Sequence, residues 1–203
     1  VTARSPRADS ARNHDALLDA AARALRDDVD APLDAIAAEA GLSRRAVYGH
    51  FAGRDELVAA MLDRGAVRIS AALDAPRDED PLVGLARLGV SLWDAVADVR
   101  TIARMAVTTH HSETVARALA PVRARVRACL AEATAAGVVR TDVAVEILAV
   151  LVERAALDVL EVAPEADPAQ ARTLVMTHPL CAAGVGAARA SDIAAAITEG
   201  EER

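Results

Sequence analysis

Apolar residues along the first sixty positions recur at intervals of three and four, the spacing of a helix that buries one face. Leu17, Ala20, Ala21, Ala24 and Leu25 make one such stripe, and Leu33, Ile36, Ala37 and Ala40 make the next. Gly41 follows directly. Glycine accepts the left-handed backbone on which helices end, Leu42 supplies the apolar contact just beyond, and Ser43 offers a hydroxyl to cap a further helix. In that helix Val47 and Phe51, four apart, point at the core, leaving Arg44, Arg45, Tyr48 and Gly49 on the other side. From Ile36 to Phe51 the chain thus reads as two short helices joined by a tight turn, a device that sets one helix in the major groove of DNA.

Past Met61 the pattern continues as helical stripes divided by breakers. A fourth helix runs to Ala75 and is closed by Pro76 and the charged stretch from Arg77 to Pro81. Leu82, Leu85, Leu88, Leu92 and Val96 predict a fifth, with Trp93 beside the stripe, and a sixth spans Thr101 to Thr109. Pro121 opens a long seventh that continues to Ala136 and stops at Gly137. Asp142 caps an eighth, whose buried face is Val145, Leu148, Val152, Ala156 and Val159. The Asp167-Pro168 pair starts a ninth that Pro179 kinks or breaks, and Ser191 caps a short tenth.

Composition narrows the class. The chain has 203 residues and is 53% apolar, enough to bury a substantial core, so disorder is excluded as its main state. Ala, Leu and Val dominate while aromatics make up 1%, which favours helix over strand. The fold class is therefore all-α, with about nine or ten helices: an amino-terminal three-helix helix-turn-helix domain, then a larger helical domain. The expected division is 1–11 as a disordered arm carrying Arg4 and Arg7, 12–58 as the DNA-binding domain, and 59–203 as the second domain. Arg12 falls at the junction of arm and domain, and the arm is read as a solvated tail rather than a minor-groove contact.

Every basic residue is Arg, so the abundance of arginine reflects composition and is no evidence for nucleic acid. The net charge of −7 argues against an indiscriminate polyanion binder and leaves room only for a local basic patch. No stretch has the length and apolarity of a spanning helix or a secretory leader, which predicts a cytoplasmic protein. Cys129 and Cys181 stand apart from each other, which argues for buried thiols rather than a disulfide.

The turn and its flanks carry a more specific signal. From about Ala16 to Met61 the chain resembles the DNA-binding domain of the TetR (tetracycline-repressor) family of bacterial transcriptional regulators. Ile36, Ala37, Ala40, Gly41, Ser43, Tyr48, His50 and Phe51 match the family's turn and recognition helix, with Leu42 for the usual Val. The resemblance implies that Ser43, Arg44, Arg45, Tyr48, Gly49 and His50 form the DNA-binding surface. Arg54 stands where the family has a phosphate-touching Lys at the start of the fourth helix. Arg44 and Arg45 both suit guanine O6 and N7, and spacing does not say which of them reads a base. His50 is equally a structural or a phosphate-binding residue, and Arg54 has a nearby carboxylate as its alternative partner. Three departures from the family are Ala31-Pro32 for a Thr pair, Ala46 for a Thr and Gly49 for a larger polar residue. Pro32 suits a first helical position.

The same resemblance implies that the second domain holds a small-molecule effector and pairs with its symmetry mate through the eighth and ninth helices. Independently, those two segments are rich in Ala and Val with few charges on one face, a patch that a homodimer would cover. Candidate pocket residues on the fifth to seventh helices are Trp93, Met105, His110 and Cys129. The surroundings suit a largely apolar effector, and few aromatics disfavour a stacking cage for a flat cation. His110 and His111 are adjacent and cannot share a helix face, so no metal site is expected. Gly184 and Gly186 follow no strand, so they make no nucleotide loop, and no cofactor or catalytic constellation is legible. The reading that follows is a repressor, not an enzyme, released from a palindromic operator by its effector. The alternatives are an all-helical small-molecule carrier and a protein-interaction adaptor that binds no DNA.

Overall fold

A computed structural model describes residues 6–28, 30–74, 78–97, 100, 102, 112–162 and 167–201. All regular elements among the described residues are helices. The chain divides into two compact units, residues 1–66 with 97–115 and residues 67–96 with 116–203. In the first unit α1 (Pro6–Asp27), α2 (Leu33–Glu39), α3 (Arg44–Tyr48) and the start of α4 (Arg54–Leu73) surround one core. Leu17, Leu25, Ile36 and Val47, which the periodicity selects, are fully buried there, together with Leu57 and Met61 of α4. Two ion pairs brace this core from outside, Arg23 to Glu39 at 2.9 Å and Arg64 to Asp19 at 2.6 Å.

α1 begins at Pro6, inside the stretch expected as an arm. Arg4 and the side chains of Arg7 and Arg12 lie outside the described residues. Pro32 sits one residue earlier than expected, at the N-cap of α2 with φ −71° and ψ 155°, where it offers a carbonyl and no side-chain cap.

The second unit contains the end of α4, then α5 (Pro81–Ala95), most of α6 (Ser112–Ala135), α7 (Val145–Val162), α8 (Pro168–Ala182) and α9 (Ala187–Glu201). α8 is the central helix and packs on α5, α7 and α9, while α5 also meets α9. Leu82, Leu130, Leu148, Met176 and Leu180 are buried at the middle of this core. Arg123 bridges α6 to α7 by three short bonds to Glu153, and Arg172 of α8 holds both Asp94 of α5 and Glu201 of α9.

Several breakers act differently from the sequence expectation. Pro121 does not open a helix but lies within α6, because Val122, Val126, Leu130 and Ala133 form one buried stripe whose burial outweighs the lost hydrogen bond. Asp142 does not cap α7, which starts three residues later. Its carboxylate is taken by Arg140 at 2.7 and 2.6 Å, and that pairing holds Asp142 below the usual carboxylate range. Ser191 lies inside α9. The start of that helix is set by Gly184, at φ +91°, and by the Gly186 carbonyl, which accepts the Ala190 N–H. Cys129 is buried as expected, whereas Cys181 is exposed on α8. The sixth expected helix, Thr101 to Thr109, lies outside the described residues apart from Ile102.

Pro179 does not break α8. It stands in the last turn, so its missing N–H frees one carbonyl, that of Val175, and leaves no later turn to disrupt. That carbonyl faces α5 at Gly89, where an added Cβ would stand 2.7 Å from the oxygen. Gly84, one and a half turns earlier on α5, has nothing closer than 3.7 Å. Alanine is favoured over glycine inside a helix by about 1 kcal/mol, so the two sites should respond oppositely. Gly84→Ala is expected to stabilise the second unit by up to ~1 kcal/mol. Gly89→Ala should destabilise it by about 1 to 3 kcal/mol, because the obstacle is backbone. Urea unfolding followed by the emission of Trp93, the sole tryptophan, checks both.

Candidate nucleic-acid interface

The turn between α2 and α3 has the geometry its residues predict. Gly41 adopts φ +66°, Leu42 N–H donates back to Ala37 O at 2.9 Å, and Gly41 N–H to Ala38 O at 3.0 Å. This is a Schellman stop, and it turns the chain at once into the next helix. Ser43 is the N-cap of α3: its Oγ accepts the Ala46 N–H at 3.2 Å. Val47 and Phe51 sink into the core, as expected, so the rest of α3 is turned outward.

Ser43, Arg44, Arg45, Tyr48 and Gly49 are all exposed. Arg44 and Tyr48 share one side of the helix, the guanidinium carbon 5.5 Å from the ring centroid. Arg44 also meets the Asp34 carboxylate of α2 at 3.1 Å, a partner the sequence reading missed and which no periodic signal marks. Gly49 has φ −78°, open to any residue, so the backbone does not demand glycine there.

His50 is half-buried and belongs to an aromatic group with His14 and Phe51, at centroid distances of 6.0 and 6.5 Å. His14, also absent from the sequence reading, lies 5.0 Å from Phe51 and joins α1 to the end of the turn. Arg54 opens α4 and is half-buried. Beside it Glu56 folds back over the helix start and accepts the Ala52 N–H at 2.5 Å.

The pocket candidates are not gathered by the described residues. Trp93 and Cys129 are both buried in the second unit, with Cys129 Sγ against Gly84, while Met105 and His110 lie outside the described residues. Among the described residues no three His, Cys, Asp or Glu side chains are grouped to hold a metal ion, and no helix is long and apolar enough to cross a membrane.

Residues 17–61 match the model of the family described as bacterial regulatory proteins, tetR family. Over 83 to 92% of the chain the fold is similar to that of solved TetR-family regulators. A TetR-family transcriptional regulator from Marinobacter aquaeolei VT8 superposes with a TM-score of 0.70 at 14% identity, over 92% of this chain and 97% of that one. SmeT, the repressor of the Stenotrophomonas maltophilia multidrug efflux pump SmeDEF, gives 0.60 at 23% identity over 83% and 89%. LfrR from Mycobacterium smegmatis, solved in complex with proflavine, gives 0.61 at 21% identity over 83% and 94%. A comparison with curated protein sequences finds no match. Residues 17–61 thus match the TetR-family model, and the chain shares the fold of solved TetR-family regulators.

The Ser43 hydroxyl is the side-chain cap of α3. Ser43→Ala is expected to lower the stability of the amino-terminal unit by about 1 kcal/mol. Chemical unfolding monitored at Tyr48, the sole tyrosine, checks it. An unchanged midpoint would show that packing of Val47 alone fixes α3.

Proposed function

We propose that the protein is a one-component repressor: a cytoplasmic homodimer whose amino-terminal domains, through about residue 58, clamp a palindromic operator and whose carboxy-terminal domains bind a small molecule. The observation that carries this reading is the exposed face of Arg44, Arg45 and Tyr48 on a helix anchored by Val47, within a domain that matches the TetR family. Base edges are read by an arginine of α3, either Arg44 or Arg45. Phosphates are met by Arg54, the Tyr48 hydroxyl and His50.

Dimerisation through α7 and α8, the eighth and ninth segments of the sequence pattern, is supported by the apolar surface of α7. Ile147, Val150 and Leu151, at i, i+3 and i+4, are 55%, 63% and 42% exposed in the single chain. Large apolar groups at that spacing form a stripe that a second copy would cover, and operator half-sites about 34 Å apart require two copies.

The effector binds the second unit near Trp93 and Cys129, and burial of apolar area supplies most of its affinity. It lowers operator affinity only if it prefers the conformation in which the two recognition helices are misplaced. The hinge is α4, whose residues fall on both sides of the division between the units.

Gel-shift with DNA upstream of the protein's own gene tests the reading. Selective binding that falls steeply with salt is expected, and indifference to sequence would favour a carrier or adaptor instead. Val150→Glu should convert the dimer to monomer in light scattering and reduce operator affinity about tenfold or more, since the carboxylate would be buried unpaired. A Val150→Glu protein that stays dimeric would place the interface elsewhere.

A further inference from the structure

The two arginines of α3 differ in their surroundings. The Arg44 guanidinium lies between the Asp34 carboxylate, 3.1 Å from Nη1, and the Tyr48 ring, 5.5 Å from Cζ. Arg45 has no ion pair or ring contact among the described residues. One fork thus has an anion and an aromatic face to orient it, and the other has neither.

Reading guanine and touching phosphate make different demands on an arginine. A guanine needs two N–H groups presented together, in plane, to O6 and N7, whereas a phosphate needs only a positive charge within reach. The Asp34 contact engages Nη1, which leaves the Nε–Nη2 edge of the Arg44 fork for a base. We propose that Asp34 is a positioning residue that orients Arg44 as the base reader, leaving Arg45 to a phosphate. This rests on the DNA-binding reading above and resolves which arginine carries sequence preference.

The placement of Asp34 has a second effect. Its carboxylate is half-exposed beside a surface that receives a polyanion, so it repels every duplex alike while it orients the reader for one. Removing it should therefore raise or leave unchanged the affinity for unrelated DNA and lower selectivity. A merely structural residue would not separate those two quantities. The pair is solvent-exposed, 72% for Arg44 and 48% for Asp34, so it adds little to folding and its loss leaves the domain intact.

The test uses the full chain and the duplex that the wild-type protein selects from a randomised pool, with each half-site base pair then changed in turn. Arg44→Ala should flatten the preference at one position of the half-site. Asp34→Asn should weaken the preference at that same position roughly two- to fivefold per half-site, and should add nothing in the Arg44→Ala background. Asp34→Glu, which keeps the carboxylate, should retain the preference. Arg45→Ala should weaken all duplexes alike and reduce the salt slope by about one per half-site.

An Asp34→Asn profile identical to wild type overturns the proposal, as does flattening by Arg45→Ala in place of Arg44→Ala. Should Asp34→Asn lose binding to every duplex, Asp34→Glu decides: a retained preference supports the orienting role, and a lost one overturns it. If the wild-type protein selects no duplex at all, the DNA-binding reading itself fails, an outcome distinct from the others.

Discussion

The burial of Val47 and Phe51 is the constraint on which the outward surface of α3 depends. α3 has five residues, far fewer than the roughly 12 to 15 an isolated helix needs to be even marginally stable in water. It exists because these two side chains are sunk in the amino-terminal core, each contributing roughly 1.5 to 3 kcal/mol, while Gly41 and Ser43 fix where it starts. With Val47 turned inward, the helical repeat leaves Arg44, Arg45 and Tyr48 only the solvent side. The chemistry of the surface is set by the outward residues, and its direction by the inward ones.

The second unit meets a different requirement, close approach of several helices with almost no aromatic residues to fill gaps. At Gly89 the backbone of α5 comes so close to the Val175 carbonyl of α8 that a Cβ would stand 2.7 Å from the oxygen. Pro179, which removes that carbonyl's donor, and Gly89, which makes room for it, form one arrangement drawn from two helices. Arg172 adds a polar clasp at the rim, one guanidinium joining three helices.

Much of this was legible in the sequence, and for physical reasons. The i, i+3, i+4 stripes locate α1 to α3 and α5, the glycines at 41 and 137 mark helix ends through their positive φ, and Ser43 caps where its hydroxyl predicts. Proline and acidic residues misled where tertiary contacts competed with local preference. Pro121 was overruled by a buried stripe, and Asp142 by an arginine two residues away. Asp34 and His14 escaped notice because their partners lie ten or more residues distant, on other elements, where no local rule connects them. The turn motif was specific because its residues serve backbone geometry. The pocket candidates rested on residue type and on helices that the family resemblance points to, and of the four only Trp93 and Cys129 are described, both buried in the second unit.

The two cysteines end in opposite environments, one enclosed beside Gly84 and the other open to water on α8. A maleimide dye would therefore label the native chain at a single point without engineering. Because that point lies on a helix proposed to pair with its mate, the rate of labelling becomes a concentration-dependent gauge of whether a mate shields it.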